Sequence, residues 1–125
     1  NMDGGYGGYD IWMIKRISKD KWTNPINLGL KVNTSEDELY PFISESNQRL
    51  YFSSNGHVGI GGFDIFYTDI DNNLNTSIVL NLGCPYNSPN DDMSYISLDG
   101  NIGYISSNRL GSNKFDIYWF DCNQK

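Results

Sequence analysis

Hydrophobic positions in this chain gather in short strand-like clusters bounded by Gly, Asn, Asp and Ser, and no apolar run combines helical spacing with helix caps. The pattern predicts an all-β protein. Its clearest stretch gives a first strand over residues 40–44, a turn at 45–48 and a second strand over 49–53. A Gly-rich loop over 55–62 leads to a third strand at 63–68, and after a polar segment, 69–75, a fourth is expected over 77–82. The counterpart of the first turn is Leu98-Asp99-Gly100-Asn101, where Gly tolerates the positive φ that tight hairpins require.

The same order of elements recurs. Gly8-Tyr9-Asp10-Ile11-Trp12 returns as Gly62-Phe63-Asp64-Ile65-Phe66 and as Lys114-Phe115-Asp116-Ile117-Tyr118, with the aspartates 54 and 52 positions apart. Leu50-Tyr51-Phe52-Ser53-Ser54-Asn55 returns within Ile102-Gly103-Tyr104-Ile105-Ser106-Ser107-Asn108, which makes Asn55 and Asn108 equivalent. Asn27-Leu28-Gly29 with Asn33 matches Asn81-Leu82-Gly83 with Asn87. One repeat is about 53 residues, and a four-stranded meander repeated near that length is the sequence form of a β-propeller blade.

Residues 4–30 then supply the C-terminal half of one blade, 39–83 a complete blade and 92–121 the first three strands of another. The expected fold is a propeller fragment of nine strands, about two and a quarter antiparallel blades in one domain. So few strands leave sheet edges open, so the blades belong to a larger ring or are completed by a second copy, as a homodimer. A nine-stranded sandwich is the competing architecture, and three separate elements recurring in one order speak against it.

Composition narrows the partners. Nine Lys and Arg against fifteen Asp and Glu give a net charge of -6, and the cations are scattered, with only Lys15-Arg16 adjacent. Nucleic acid is an unsuitable partner, because phosphate binding needs a basic patch that releases counterions. No stretch reaches the roughly 18–20 apolar residues of a membrane-spanning helix, and no basic-apolar leader opens the residues given. Two cysteines, Cys84 and Cys122, are too few for a disulfide framework and lack zinc-site spacing.

The repeat residues carry a resemblance. Asp37-Glu38-Leu39-Tyr40-Pro41, then Leu50 to Asn55, then Gly61-Gly62-Phe63-Asp64-Ile65-Phe66 is similar to the WD-like propeller repeats of TolB-like and OmpA-associated envelope proteins. The last repeat departs from it, with Ser94 at the place assigned to Pro41 and Asn113-Lys114 in place of Gly-Gly. The resemblance implies a periplasmic or outer-membrane-associated bacterial scaffold that binds proteins or peptides and reaches peptidoglycan through a separate domain.

No residue set calls for catalysis or a cofactor. Asp10, Asp64 and Asp116 recur once per unit, as residues that accept backbone N–H bonds and hold a turn do, and with Asn55 and Asn108 they read as structural. The segment 69–75 alternates oxygen side chains, but Leu74 and Leu80 stand where a calcium loop of the helix-loop-helix kind needs Gly and an acid. His57 has no Ser or Cys elbow to activate and reads as a solvated loop residue. The acidic pairs Asp37-Glu38 and Asp91-Asp92 occupy one point in successive units. With His57 and Arg109 they are expected to rim the mouth of a propeller channel and bind peptide or protein. Exposed aromatics stacking on sugar rings form the alternative reading, and an accessory role beside a hydrolase whose catalytic residues lie elsewhere is a further one. Cys84 follows a fourth strand and Cys122 ends a third, on opposite faces of a propeller, so no disulfide is expected between them.

Overall fold

The computed structural model describes residues 2–110 and 113–123. Among these the chain is all-β, with eleven strands in antiparallel sheets and no helix. The central sheet is a meander of β5 (Glu38–Ser44), β6 (Arg49–Ser54), β7 (Asp64–Asp69) and β8 (Leu80–Asn81), each paired with the next. Strands β9 (Asp92–Ser97), β10 (Ile102–Ser107) and β11 (Asp116–Asp121) form a second meander of three. Among the described residues no sheet closes on itself.

Eleven strands replace the expected nine because the hairpin at 12–27 is broken twice. Strand β1 (Trp12–Met13) pairs with β4 (Ile26–Asn27), and β2 (Arg16–Ser18) with β3 (Lys21–Trp22). Between the two pairs Thr23 takes over the ladder, its N–H donating to Lys15 O at 2.8 Å and its hydroxyl accepting from Lys15 N at 2.9 Å. Pro25 has no N–H to offer the ladder. The fourth strand of the central sheet is likewise shorter than expected, two residues instead of 77–82. Ser77 binds β7 partly through its hydroxyl, which accepts from Asp69 N at 3.1 Å, and so interrupts regular pairing.

Strand β5 starts at Glu38, two residues before the expected residue 40, because Glu38 and Leu39 pair with Ser54 and Ser53. A bulge then sets Tyr40 and Pro41 opposite Phe52, and in the next sheet Ser94 and Tyr95 stand opposite Ile105. Tyr40 and Ser94 share the left-handed conformation, φ 52° and 58°. Structural equivalence thus matches Ser94 with Tyr40 and Tyr95 with Pro41, one position away from the sequence-based match. The one-residue difference between the units lies beyond the bulge, in the hairpin turn.

Strand alternation gives the central sheet two buried faces. Leu50, Phe52, Phe66 and Ile70 pack against Ile11, Leu28 and Val32 of the first unit. Tyr51 and Ile65 face the other way, onto Tyr95 and Ile105, with the Tyr51 and Tyr95 rings stacked 4.1 Å apart. Each fully buried aliphatic or aromatic side chain contributes roughly 1.5–3 kcal/mol, so units are joined by cores as substantial as those within a sheet.

Close backbone contact also joins them. A Cβ on Gly61 would lie 1.9 Å from Asn90 O, and one on Gly7 2.4 Å from Thr34 O, so these loops reach the next unit only as glycine. Gly61→Ala is expected to cost about 2–3 kcal/mol through forced separation of the units. Gly83→Ala, where φ is +79° and nothing lies within 4 Å, should cost only about 1 kcal/mol of backbone strain; urea unfolding of both variants measures the difference.

At the β9–β10 turn the Asp99 carboxylate accepts from Ile102 N at 3.0 Å and Asn101 N at 2.8 Å, which holds its pKa below the ordinary 3.8. A depressed carboxylate pKa favours the folded state above 3.8, and that contribution is lost as pH falls through the lower folded value. Carboxyl NMR titration should place the Asp99 midpoint below 3.8; a midpoint at or above it contradicts the assignment.

Candidate functional site

Residues of the sequence repeat meet where one unit hands over to the next. After β8 the chain turns at Gly83, and Asn87 comes to lie buried beside β7. Its Oδ1 accepts from Ile65 N at 2.8 Å, while Nδ2 donates to Ile65 O at 2.8 Å and to Asn81 Oδ1 at 2.9 Å. Asn81 Nδ2 donates to Asp64 Oδ2 at 3.2 Å, and Asp64 accepts from the loop amides of Ile60 and Gly61. One unit earlier Asn33, Ile11, Asn27 and Asp10 repeat this pattern, with Tyr6 N and Gly7 N donating to Asp10. Asp116 stands exposed at the start of β11, and the loop before it includes residues 111–112, outside the described set.

The acidic pairs close the same junction from the other side. Asp37 Oδ1 accepts from Tyr9 N at 2.9 Å, and Asp91 Oδ1 from Phe63 N at 2.9 Å, each bond reaching back into the preceding unit. Asn55 Oδ1 and Asn108 Oδ1 in turn accept from Asp37 N and Asp91 N. Glu38 and Asp92 are buried, 2% and 0% exposed. Glu38 accepts from Thr34 N, Thr34 Oγ1 and Ser54 Oγ at 2.6–2.8 Å. Asp92 accepts from Ser88 N, Ser88 Oγ and Ser107 Oγ, and pairs with Arg109 at 3.0 Å.

His57 and Arg109 come to one task from different chemistry. His57 Nε2 lies 2.7 Å from Val32 O, which requires the proton on Nε2, and its ring packs 5.2 Å from Phe66. In the next unit Arg109 Nη2 donates to Tyr86 O at 2.6 Å, with the guanidinium 4.9 Å over Tyr118. Tyr86 and Tyr118 are the repeat counterparts of Val32 and Phe66. His57 is thus a half-buried clasp on the preceding linker, not a solvated loop residue. Arg109 additionally neutralises Asp92, whose shorter side chain stands where the preceding unit has Glu38. Of the six expected rim residues only Asp92 and Arg109 pair directly; Asp37, Asp91 and His57 bond back toward the preceding unit, and Glu38 is enclosed by Thr34 and Ser54.

What these loops offer to solvent is different. Val58 is 96% exposed, and Leu110, which precedes Asp116 by six residues as Val58 precedes Asp64, is 81% exposed. Ile60 and Tyr6 are about half exposed on the same series of loops, and Glu36 is exposed on the adjoining one. Sequence reading passed over these apolar tips because single hydrophobic residues in Gly-rich loops carry no periodic signal. Their exposure is evident only when the frame below them is seen to be saturated.

The polar segment at 69–75 is a turn closed on itself. Asp71 accepts from Asn73 N, Asn75 N and Asn75 Nδ2 at 2.8–2.9 Å, and the Asn75 bonds hold its pKa below the usual carboxylate value. Among the described residues no three His, Cys, Asp or Glu side chains gather as metal ligands. Both cysteines are free and exposed, and Cys122 Sγ lies 2.8 Å from Tyr86 Oη. Burial, reinforced by the Cys122 contact, pushes the Tyr86 hydroxyl up to about 12. No helix among the described residues is long and apolar enough to cross a membrane.

The chain matches no family model, no curated protein and no solved structure.

Arg109→Ala leaves Asp92 buried without its cation and should cost about 3 kcal/mol. His57→Ala, which removes one hydrogen bond and an edge contact, should cost about 1–2 kcal/mol; denaturant midpoints of the two variants test the order.

Proposed function

We propose that this chain is a segment of a β-propeller that acts as a non-catalytic scaffold, binding protein or peptide in a bacterial cell envelope. The carrying observation is the pair of exposed tips, Val58 and Leu110, each six residues before the repeated aspartate of its loop, with Asp37, Asn55, Asp91 and Asn108 engaged in hydrogen bonds below them. A saturated frame holds such tips in place at little entropic cost, and loops on rigid scaffolds commonly carry recognition. The propeller reading is supported by the 53-residue period and the meander order of the sheets. It is supported as well by the face-to-face stacking of β9 on β5, β6 and β7. The envelope setting rests on the resemblance of the repeats to TolB-like and OmpA-associated proteins.

Sugar binding is the second reading, favoured by Tyr104 and Trp119, which stand directly opposite each other across β10 and β11 and are half exposed. Peptide and glycan arrays probed with the 125-residue chain separate the two. Peptide signals should fall about tenfold or more in a Val58→Ser, Leu110→Ser double variant, matching a loss above 1.4 kcal/mol. Signals unchanged by the double variant exclude the loop tips, and signals on glycans alone favour the sugar reading.

A further inference from the structure

The connection from third to fourth strand is pinned in the same way in the first two units and filled with opposite chemistry. Thr23 bonds Lys15 through its N–H and its hydroxyl, and Ser77 bonds Asp69 in the same two ways. Seven residues lie between the pins in each unit. In the second unit they are Ile70-Asp71-Asn72-Asn73-Leu74-Asn75-Thr76, without a cation, and Asp71 closes the turn on itself. In the first unit they are Arg16-Ile17-Ser18-Lys19-Asp20-Lys21-Trp22. The pins recur because they hold the frame; what the first connection carries between them does not recur.

That segment forms the β2–β3 ribbon. Every residue from 14 to 22 is exposed, and neither strand contacts any other strand among the described residues. Arg16 closes the turn from within: its Nε donates to Ser18 O at 3.1 Å and its Nη2 to Lys19 O at 2.5 Å, with the guanidinium 5.8 Å over the Trp22 ring. Lys19 and Lys21 are left to solvent beside Ile17 and Trp22, which are 58% and 52% exposed. The counterpart segment of the central sheet, which has its first and second strands in place, is also exposed at Asp71, Asn72, Asn73 and Asn75, so a full sheet does not cover this part of a unit. Cations that read as scattered along the sequence thus gather. Lys15, Arg16, Lys19 and Lys21 are four of the nine Lys and Arg, with only Asp20 among them, while the rest of the chain has fourteen acids against five cations.

We propose that this ribbon docks the protein on an anionic lipid surface. Each Lys or Arg held near such a surface strengthens binding about fivefold. Trp and aliphatic side chains beside cations suit the boundary between water and lipid, where they settle among the headgroups while the ammonium groups meet the phosphates. A nucleic-acid backbone would engage the cations and leave Ile17 without a partner. The acidic surplus elsewhere is repelled by the same surface, so the chain approaches it ribbon first. This surface is separate from the loop tips at Val58 and Leu110, since those loops precede the third strand of their units and the ribbon follows it.

Cosedimentation of the 125-residue chain with vesicles tests the assignment. The chain should bind vesicles of equal parts phosphatidylcholine and phosphatidylglycerol, ignore phosphatidylcholine alone, and dissociate as added salt screens the charges. Lys19→Gln combined with Lys21→Gln should weaken binding about twenty-five-fold, at about fivefold per lysine, with an unchanged circular dichroism spectrum. The blue shift of tryptophan fluorescence on the anionic vesicles should be absent from a Trp22→Phe variant. The Val58→Ser, Leu110→Ser double variant should bind the vesicles as the unaltered chain does, which separates this surface from the peptide-binding one. Absence of binding to the anionic vesicles overturns the proposal. So does binding that survives the lysine substitutions, or tighter capture of a DNA duplex or of polyglutamate than of the vesicles at the same ionic strength.

Discussion

Everything in this molecule depends on satisfying the backbone where the chain crosses from one sheet to the next. Where a short fourth strand ends, N–H and C=O groups of the strand beside it run past the regular ladder, as at Ile11 and Ile65, and an unpaired buried group costs about 1–3 kcal/mol. Asn33 and Asn87 meet that demand, each bonding both backbone groups of the isoleucine opposite and a second asparagine behind it. The second asparagine then holds the aspartate that holds the Gly-rich loop. One carboxamide thus connects the fourth strand, the third strand and the loop above them. The structure has no buried side-chain nitrogen or oxygen without a partner among the described residues.

That economy explains why the most conspicuous polar residues are not free to meet a ligand. Asp37 and Asp91 each reach back 28 residues to an amide of the preceding unit, and Glu38 and Asp92 are enclosed by hydroxyls and amides. The junction also tolerates exchange of chemistry at constant geometry. His57 and Arg109 have different charge and length, yet both donate to the same linker carbonyl and cover the same ring position. With the polar groups engaged below, the outward surface of the loops is left to apolar tips, and the forward face of the third sheet is left without the cover its predecessor has.

The period, the all-β class and the hairpin at Asp99-Gly100 were legible in the sequence, because alternation, turn residues and recurring identities are local properties of the chain. The recurrence of Asp10 and Asp64, of Asn27 and Asn81, and of Asn33 and Asn87 was visible as well, although their mutual bonding was not. Strand limits were less legible. Nothing local signals that the hydroxyls of Thr23 and Ser77 enter the ladder and cut a strand short, or that a bulge shifts the match of Ser94 from Pro41 to Tyr40.

By itself, then, the sequence determined the repeating strand order and which residues recur, since those follow from side-chain pattern and turn chemistry within one unit. Only the tertiary structure decided which of the recurring residues are enclosed and which are presented. A carboxylate is engaged or free according to where the neighbouring unit's amides fall, and an isoleucine is core or surface according to whether another sheet lies over it. Ile65 and Ile117 hold the same place in the repeat, yet one is fully buried and the other three-quarters exposed, because burial belongs to the pair of sheets and not to the strand.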